Sequence, residues 1–311
     1  MRVAVVGAGA MGGILGATLS EGGASVTLVD VAPPVVDRIN EHGIAIERGD
    51  ETRVVSVPAT LEPKSVGVVD VVVFFVKCYH SVAAAEFARP LVGPDTIVAT
   101  LQNGWGNGDV LAAQFPPEQI LIGVTYHSGT LVGPGRVRHT NLSDAPTFVG
   151  PFLGEDVARA ETVARAIRAG GFRAEARPDI RTEIWKKLVL NSCALPTSAL
   201  TRSTAGRLTA VSSMRTLVDG LIHETVAVGR ANGFEIDEQE RLESVHATLA
   251  AAGEGKASML QDVEAERRTE IDVINGAVVR VADQLGVDVP LNRALTALIA
   301  GYEAANGLAP A

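Results

Sequence analysis

Two polar side chains interrupt the apolar run IWKKLVLNSCALP at residues 184–196: Lys187 and, four residues on, Asn191. Positions four apart share one face of a helix, so an ammonium and an amide stand together in apolar company. Either that face meets water, with Lys187 reaching solvent beside Lys186, or it lines a site. In a site, a partly desolvated lysine is a stronger acid than a solvated one and can protonate a nascent alkoxide. The helix pattern alone leaves both options open.

A second constellation lies near the N-terminus. VAVVGAGAMGG sets Gly7-x-Gly9-x-x-Gly12 directly after a strand-like run, with Ala10 and Met11 inside the loop that opens a helix. The first glycine permits the tight turn, the second lets backbone approach a pyrophosphate, and the third lets helix and strand pack closely. The helix start adds N–H donors and positive potential. The next strand candidate, SVTLVD, ends in Asp30, 21 residues after Gly9. A carboxylate there accepts from both hydroxyls of an adenine ribose and repels a 2′-phosphate. The residues that follow, VAPPVV, offer no cation in compensation, so NAD(H) is preferred over NADP(H). An ordinary strand-end aspartate that caps or turns the chain is the plain alternative. An S-adenosylmethionine site also uses an acid at that position.

The elements that must position these residues follow from the pattern. Short apolar runs (RVAVVGAG, SVTLVD, DVVVFFVK, TIVATLQNG, QILIGVTYH) alternate with helix candidates such as MGGILGATLSEG, PPVVDRINEHG and SVAAAEFARPL. Such alternation implies an open α/β sheet, and the near-continuous Val68–Val76 run suits a strand covered on both faces. TLVGPGRVRHT reads as a hairpin adding an antiparallel edge. A helix over 155–170 and a short strand, FRAEAR, precede Pro178. Beyond it the texture changes to long helices, PDIRTEIWKKLVLNSCA, LTAVSSMRTLVDGLIHETVAVGRAN and SMLQDVEAERRTEIDVINGAVVRVADQLG, with stops at Asn232-Gly233 and Gly286. The expected architecture is a Rossmann-type domain, 1–178, with an all-helical domain, 179–311, for substrate and dimerisation. No internal repeat appears, and only the final GLAPA is of low complexity.

Bulk properties exclude several classes. The 311 residues are 47% hydrophobic and carry a net charge of −9, which gives no footprint for nucleic acid or anionic membrane. Glycines break the one segment that resembles a signal peptide, and no run is long enough to span a membrane. Cys78 and Cys193 form no disulfide framework and are not spaced as metal ligands, so a cytoplasmic protein without a metal site is expected. His223-Glu224 lacks the second histidine of a zincin, and Gly255-Lys256 lacks a P-loop. His127 and His139 flank the hairpin and read as structural.

A reductase of keto acids needs a hydride donor, a proton donor and a clamp for the substrate carboxylate. Here the chain resembles the ketopantoate reductase family over nearly its whole length. The resemblance runs through GAGAMG, FFVK, LQNG, GPGRVRHT and WKKLVLN to SMLQDVEAERRTEID-x-INGAVV. It implies reduction of a 2-keto acid with a nicotinamide cofactor, in a cleft between a Rossmann and a helical domain. By motif, Lys187 resembles the general acid and Asn191 a substrate-binding asparagine. Asn103 resembles one beside nicotinamide and substrate, and Lys77 a lysine on the cofactor side. Ser258 resembles the serine that holds the substrate carboxylate, and Glu270 the glutamate that completes the site.

Plain readings stand beside these roles. Ser258 with Gln261 has the form of a capping box, Glu264 and Arg268 are spaced to pair on a solvated face that would include Glu270, and Asn103-Gly104 is turn chemistry. Two departures from the family pattern matter: Asp30 stands where a basic residue is commoner, and Leu195 replaces a second asparagine before Pro196. A leucine cannot hydrogen-bond a substrate hydroxyl and suits a branched or aromatic group. Three functions follow in order. The first is a 2-dehydropantoate 2-reductase, of pantothenate biosynthesis, using NADH. The second is an NAD-dependent D-2-hydroxy acid dehydrogenase for branched or aromatic 2-keto acids. The third is a non-catalytic nucleotide-binding protein.

Overall fold

Valine-rich runs free of polar interruptions become the inner strands of a parallel sheet. The computed structural model describes residues 1–140 and 145–308, so the last three residues of GLAPA lie outside the described residues. Met1–Gln102 and Asn107–Ile180 form one compact unit. Asn103–Gly106 and the chain from Arg181 onward form a second.

In the first unit the elements run β1 (Arg2–Val6), α1 (Ala10–Glu21), β2 (Ser25–Val29), α2 (Pro33–His42), β3 (Ile44–Arg48), β4 (Glu51–Val55), β5 (Ala59–Thr60), α3 (Pro63–Val66) and β6 (Val71–Phe74). They continue as α4 (Ser81–Ala88), β7 (Ile97–Thr100), α5 (Asn107–Ala112), β8 (Ile120–Thr125), β9 (Gly129–Gly133), β10 (Arg136–His139), β11 (Thr147–Pro151), α6 (Ala158–Ala169) and β12 (Ala174–Ala176). The main sheet has the order β12-β11-β8-β7-β6-β1-β2-β5. β1 lies between β2 and β6, both parallel to it, with Val3 opposite Val26 and Val71. The strand order reverses at β1, and the carboxyl ends of strands at such a point are where open α/β sheets bind ligands. β11 runs antiparallel to β8, and β12 lies parallel to β11, so this pair runs opposite to the neighbouring strands.

The hairpin β9–β10 forms as expected but adds no edge to this sheet. It joins β3 and β4 in a separate four-stranded sheet of order β4-β3-β10-β9. This second sheet covers the side of α1 away from β2: Gly13 faces Val137 and Ile44, while Gly16 faces Leu28. Wrapped on both sides, α1 is apolar all round, as a fully buried helix must be.

The second unit holds α7 (Ile180–Thr201, from Arg181 on), α8 (Ser212–Ala231), α9 (Glu238–Ala252), α10 (Ser258–Glu264), α11 (Asn275–Leu285) and α12 (Pro290–Ala305). Trp185, Leu188 and Val189 of α7 pack with Leu221 and Ile222 of α8 and Val278 of α11 in its core. Asn232 ends α8 and a left-handed Gly286 ends α11. Two helix expectations are corrected. α7 does not end at Ala194, as the run PDIRTEIWKKLVLNSCA suggests, but continues through Pro196 to Thr201, aided by the Thr197 hydroxyl, which bonds the Cys193 carbonyl. The single long helix expected from Ser258 to Gly286 is three pieces: α10, a 3-10 turn at Ile271–Val273 and α11. Helix formers fill the break, yet Glu266 adopts φ +50°. One local and one long-range bond hold the chain there: Arg267 pairs with Asp262, and the Thr269 N–H donates to buried Glu303 at 2.6 Å.

Candidate active site

The glycine loop takes the form its spacing demands. Gly7 has φ +99°, and a Cβ on Gly12 would collide with the Gly7 carbonyl oxygen, so close helix–strand contact requires glycine there. Gly9 differs. Its φ of −72° suits any residue, and a Cβ there would meet no protein atom within 4 Å. The fold therefore does not require this glycine, and the open space beside it leaves its backbone accessible to a ligand. α1, which opens with Ala10 and Met11, starts without a side-chain cap or an acidic first turn. Its first N–H groups stay available to an anion. This cradle fits a dinucleotide pyrophosphate.

Asp30, at the end of β2, does what its plain reading proposed. Its carboxylate accepts the Ala8 N–H at 2.7 Å and the Ala32 N–H at 3.0 Å, tying the glycine loop to the chain after β2. A carboxylate offers about four acceptor positions, so two bonds leave room for ribose hydroxyls. Lys77 follows β6, half-buried, in the same unit. Gln102, a residue the sequence reading missed, holds this region by donating to the Val76 carbonyl at 2.7 Å and to Ser81 Oγ at 2.8 Å.

The second unit gathers the proposed chemistry. Immediately after Gln102 the chain runs Asn103-Gly104-Trp105-Gly106. Gly104 has φ +90°, and a Cβ there would collide with the Val273 carbonyl oxygen. That close approach lets the Trp105 N–H donate to the same carbonyl at 2.8 Å. The Trp105 ring packs edge-on against Trp185 at 5.0 Å and Phe234 at 5.5 Å. Thus pinned, the segment sets Asn103 Oδ1 2.7 Å from Lys187 Nζ, which donates to it.

Lys187 does not snorkel to solvent beside Lys186, which instead pairs with Glu183 at 2.9 Å. Burial lowers the Lys187 ammonium to about 8, while the Glu270 carboxylate opposes that drop. The result is a lysine protonated at neutral pH yet a much stronger acid than a solvated one. Glu270 itself is 8% exposed, so it does not belong to a solvated face. The Glu264–Arg268 pair does not form: Glu264 pairs with Lys256, and Arg268 with Asp272, because the helix breaks between them.

Asn191, one turn beyond Lys187, is buried. Leu195 is buried with the apolar core of this unit. The capping box at Ser258 is a further correction. The N-cap is Ala257, without a side-chain cap bond, and Gln261 turns its amide to the Lys256 carbonyl. Ser258, in the first helical turn, is freed from the cap and half-buried. The structure thus brings Lys187, Asn103 and Glu270 together and puts Asn191 on the same helix as the lysine.

His127 and His139 share a hydrogen bond of 3.0 Å in the first unit, where His127 stacks on Phe172 and His139 is tilted against the same ring. Burial holds both rings down at about 4, the behaviour of structural histidines. His223 pairs with Glu238, and Glu224 accepts the N–H groups of Leu291 and Asn292 at the start of α12. Among the described residues no three His, Cys, Asp or Glu side chains are grouped to hold a metal, and no helix is long and apolar enough to cross a membrane.

Comparison with known proteins identifies the family of the chain. The family described as ketopantoate reductase PanE/ApbA matches residues 3–154, and its C-terminal counterpart matches 179–303. The chain is 32% identical to the 2-dehydropantoate 2-reductase of Halobacterium salinarum, covering 96% of this chain and 98% of that protein. The same enzyme of Archaeoglobus fulgidus is 31% identical, with 97% and 98% covered. Among solved structures, D-mandelate dehydrogenase with NADH and anilino(oxo)acetate superposes with a TM-score of 0.93 at 27% identity, over 99% of this chain and 100% of that one. A PanE/ApbA family ketopantoate reductase from Ralstonia eutropha gives 0.89 at 30% identity, with the same coverage.

Proposed function

The chain belongs to the ketopantoate reductase PanE/ApbA family, and from that premise we propose that it reduces a 2-keto acid to the 2-hydroxy acid in the manner of a 2-dehydropantoate 2-reductase, with NADH as the preferred cofactor. It is an oxidoreductase acting on a CH–OH group. The observation that carries the mechanism is the half-buried Lys187 ammonium held at 2.7 Å by Asn103.

When bound, the reduced nicotinamide supplies a hydride, with its two electrons, to the carbonyl carbon. Lys187 Nζ gives its proton to the carbonyl oxygen as negative charge develops there, and solvent returns a proton to the lysine. Asn103 aims the ammonium and would face nicotinamide and substrate when they bind, and Glu270 keeps the lysine charged until the proton is needed. Asn191 and Ser258 bind the polar end of the substrate, while Leu195 borders its side chain. Gly7, Gly9, Ala10, Met11 and Gly12 would hold the pyrophosphate, and Lys77 would serve the cofactor side. Residues 1–178 serve the cofactor and 179–311 the keto acid and self-association as a homodimer, in a reducing cytoplasm suited to the free Cys78 and Cys193.

Lys187→Ala is expected to lower kcat by roughly 10²–10⁴-fold, the usual span for a general acid, with NADH binding retained. Near-normal turnover in that variant sinks the mechanism. Asp30 supports NADH because its anionic carboxylate faces a 2′-phosphate with repulsion and no neighbouring cation; a higher kcat/KM with NADPH overturns this choice.

A second reading, a D-2-hydroxy acid dehydrogenase for branched or aromatic 2-keto acids, is favoured by Leu195 and by the likeness to D-mandelate dehydrogenase. The ratio of kcat/KM for 2-ketoisovalerate and ketopantoate separates the two.

A further inference from the structure

The helix that carries Lys187 and Asn191 contains a proline in its body. Pro196 has no N–H for the carbonyl of Ser192, one turn earlier, and its ring crowds that same oxygen. A carbonyl so deprived inside a core costs free energy unless another donor reaches it, and a helix at such a point tends to kink. The donor is Asn275, the first residue of α11, whose Nδ2 lies 2.9 Å from the Ser192 oxygen. Its side chain is fully buried.

The amide is fixed through both of its protons. The second goes to Asn292 Oδ1 at 3.0 Å, and Asn292 in turn donates to Glu224 at 2.8 Å. Asn275 Oδ1, by contrast, is buried without a hydrogen-bond partner among the described residues. An amide whose acceptor is left unpaired while both donors are used is held there for its donors.

We propose that Asn275 is a positioning residue for the proton donor: it replaces the hydrogen bond that Pro196 removes and so fixes α7, with Lys187 and Asn191 on it, against the Asn103 and Glu270 segments. The inference deepens the reading of Lys187 as general acid and rests on it. Asn275 is well placed for the task, since only Ile274 separates it from the 3-10 turn whose Val273 carbonyl anchors Trp105. One residue therefore ties the lysine helix to the chain that holds the lysine's partners. Small displacements of an acid from its proton acceptor cost large factors in rate.

The test uses the cause of the defect as its cure. Asn275→Ala is expected to lower kcat at least about tenfold with little change in KM, by displacing the acid. It should also move the alkaline midpoint of kcat, which reports the environment of the lysine. Adding Pro196→Ala restores an N–H at 196 for the Ser192 carbonyl. The double variant should recover kcat to within about threefold of Pro196→Ala alone, a coupling expected only of sites sharing one interaction, and bring the midpoint back. A generic core defect would not be relieved by a second truncation.

An equal kcat loss in both backgrounds, or an Asn275→Ala enzyme with unchanged kcat, overturns the proposal. If Asn275→Ala alone fails to fold, folded and active double variant supports it, and an unfolded double variant overturns it. Lys187→Ala keeps the two claims apart: retained turnover there defeats the acid assignment, whatever the Asn275–Pro196 coupling shows.

Discussion

The glycine loop of the first unit and the lysine site of the second are built on opposite plans. The loop is contiguous: Gly7 to Gly12 turn, open and pack within a single strand–helix junction, and Asp30 reaches in from the adjacent strand to bond Ala8. The lysine site draws Asn103, Lys187 and Glu270 from three distant stretches, and its geometry depends on residues that touch no reactant. A contiguous site can lose ligand affinity while its fold survives. An assembled one loses fold and chemistry together.

That contrast can be broken by glycine substitutions. Gly104→Ala places a Cβ against the Val273 carbonyl at a φ that L-residues rarely adopt. It should cost the second unit several degrees of thermal stability and lower kcat by more than about tenfold, through displacement of Asn103. Unchanged kinetics in Gly104→Ala would remove the argument for an assembled site.

A titration sharpens it. Reduction requires the protonated lysine, so kcat should fall as pH rises through about 8. Because the Glu270 charge raises the lysine, Glu270→Gln should shift that midpoint to lower pH, read from the pH profile of kcat. A midpoint that stays put would detach Glu270 from the lysine.

On the contiguous side, Gly9→Ala should leave the melting temperature of the cofactor-free protein unchanged, since no protein atom opposes the new Cβ. NADH affinity should fall roughly tenfold, about 1.4 kcal/mol. A drop in stability without a change in NADH binding would mean that Gly9 serves packing.

The smallest effect concerns His127 and His139. Their folded values near 4 lie below the ordinary 6.5, so the unfolded chain binds more protons between those limits. Their contribution is complete above pH 6.5 and is lost as pH falls through 4. Thermal unfolding between pH 7 and 4 should show a shallower decline in His139→Gln than in the parent.

The same contrast explains what could be read in advance. Gly7, Gly9, Gly12 and Asp30 were legible because their roles are local, and the β/α alternation announced the sheet because its inner strands are uniformly apolar. The strands β3 and β4 carry charges through GIAIERGDETRVV and gave no such signal. The break after Glu264 was hidden because EAERRTEID is made of good helix formers, and what unwinds it is the bond from Thr269 to distant Glu303. The resemblance singled out Lys187 and Glu270, but the bond of Lys187 to Asn103, the burial of Glu270 and the role of Trp105 came only with the fold. Asn275 was unreadable, since its task is set by a proline in another helix.

The four residues Asn103–Gly106 belong by contact to the helical unit although the chain on either side does not. The helical unit is therefore not encoded by its own continuous stretch of gene. A fragment beginning at Arg181 would lack the indole that covers Trp185 and Phe234, and would present a vacant aromatic socket to water. For dissection of the chain, this makes residues 103–106 a segment that any version of the helical unit must carry to keep its aromatic cluster complete.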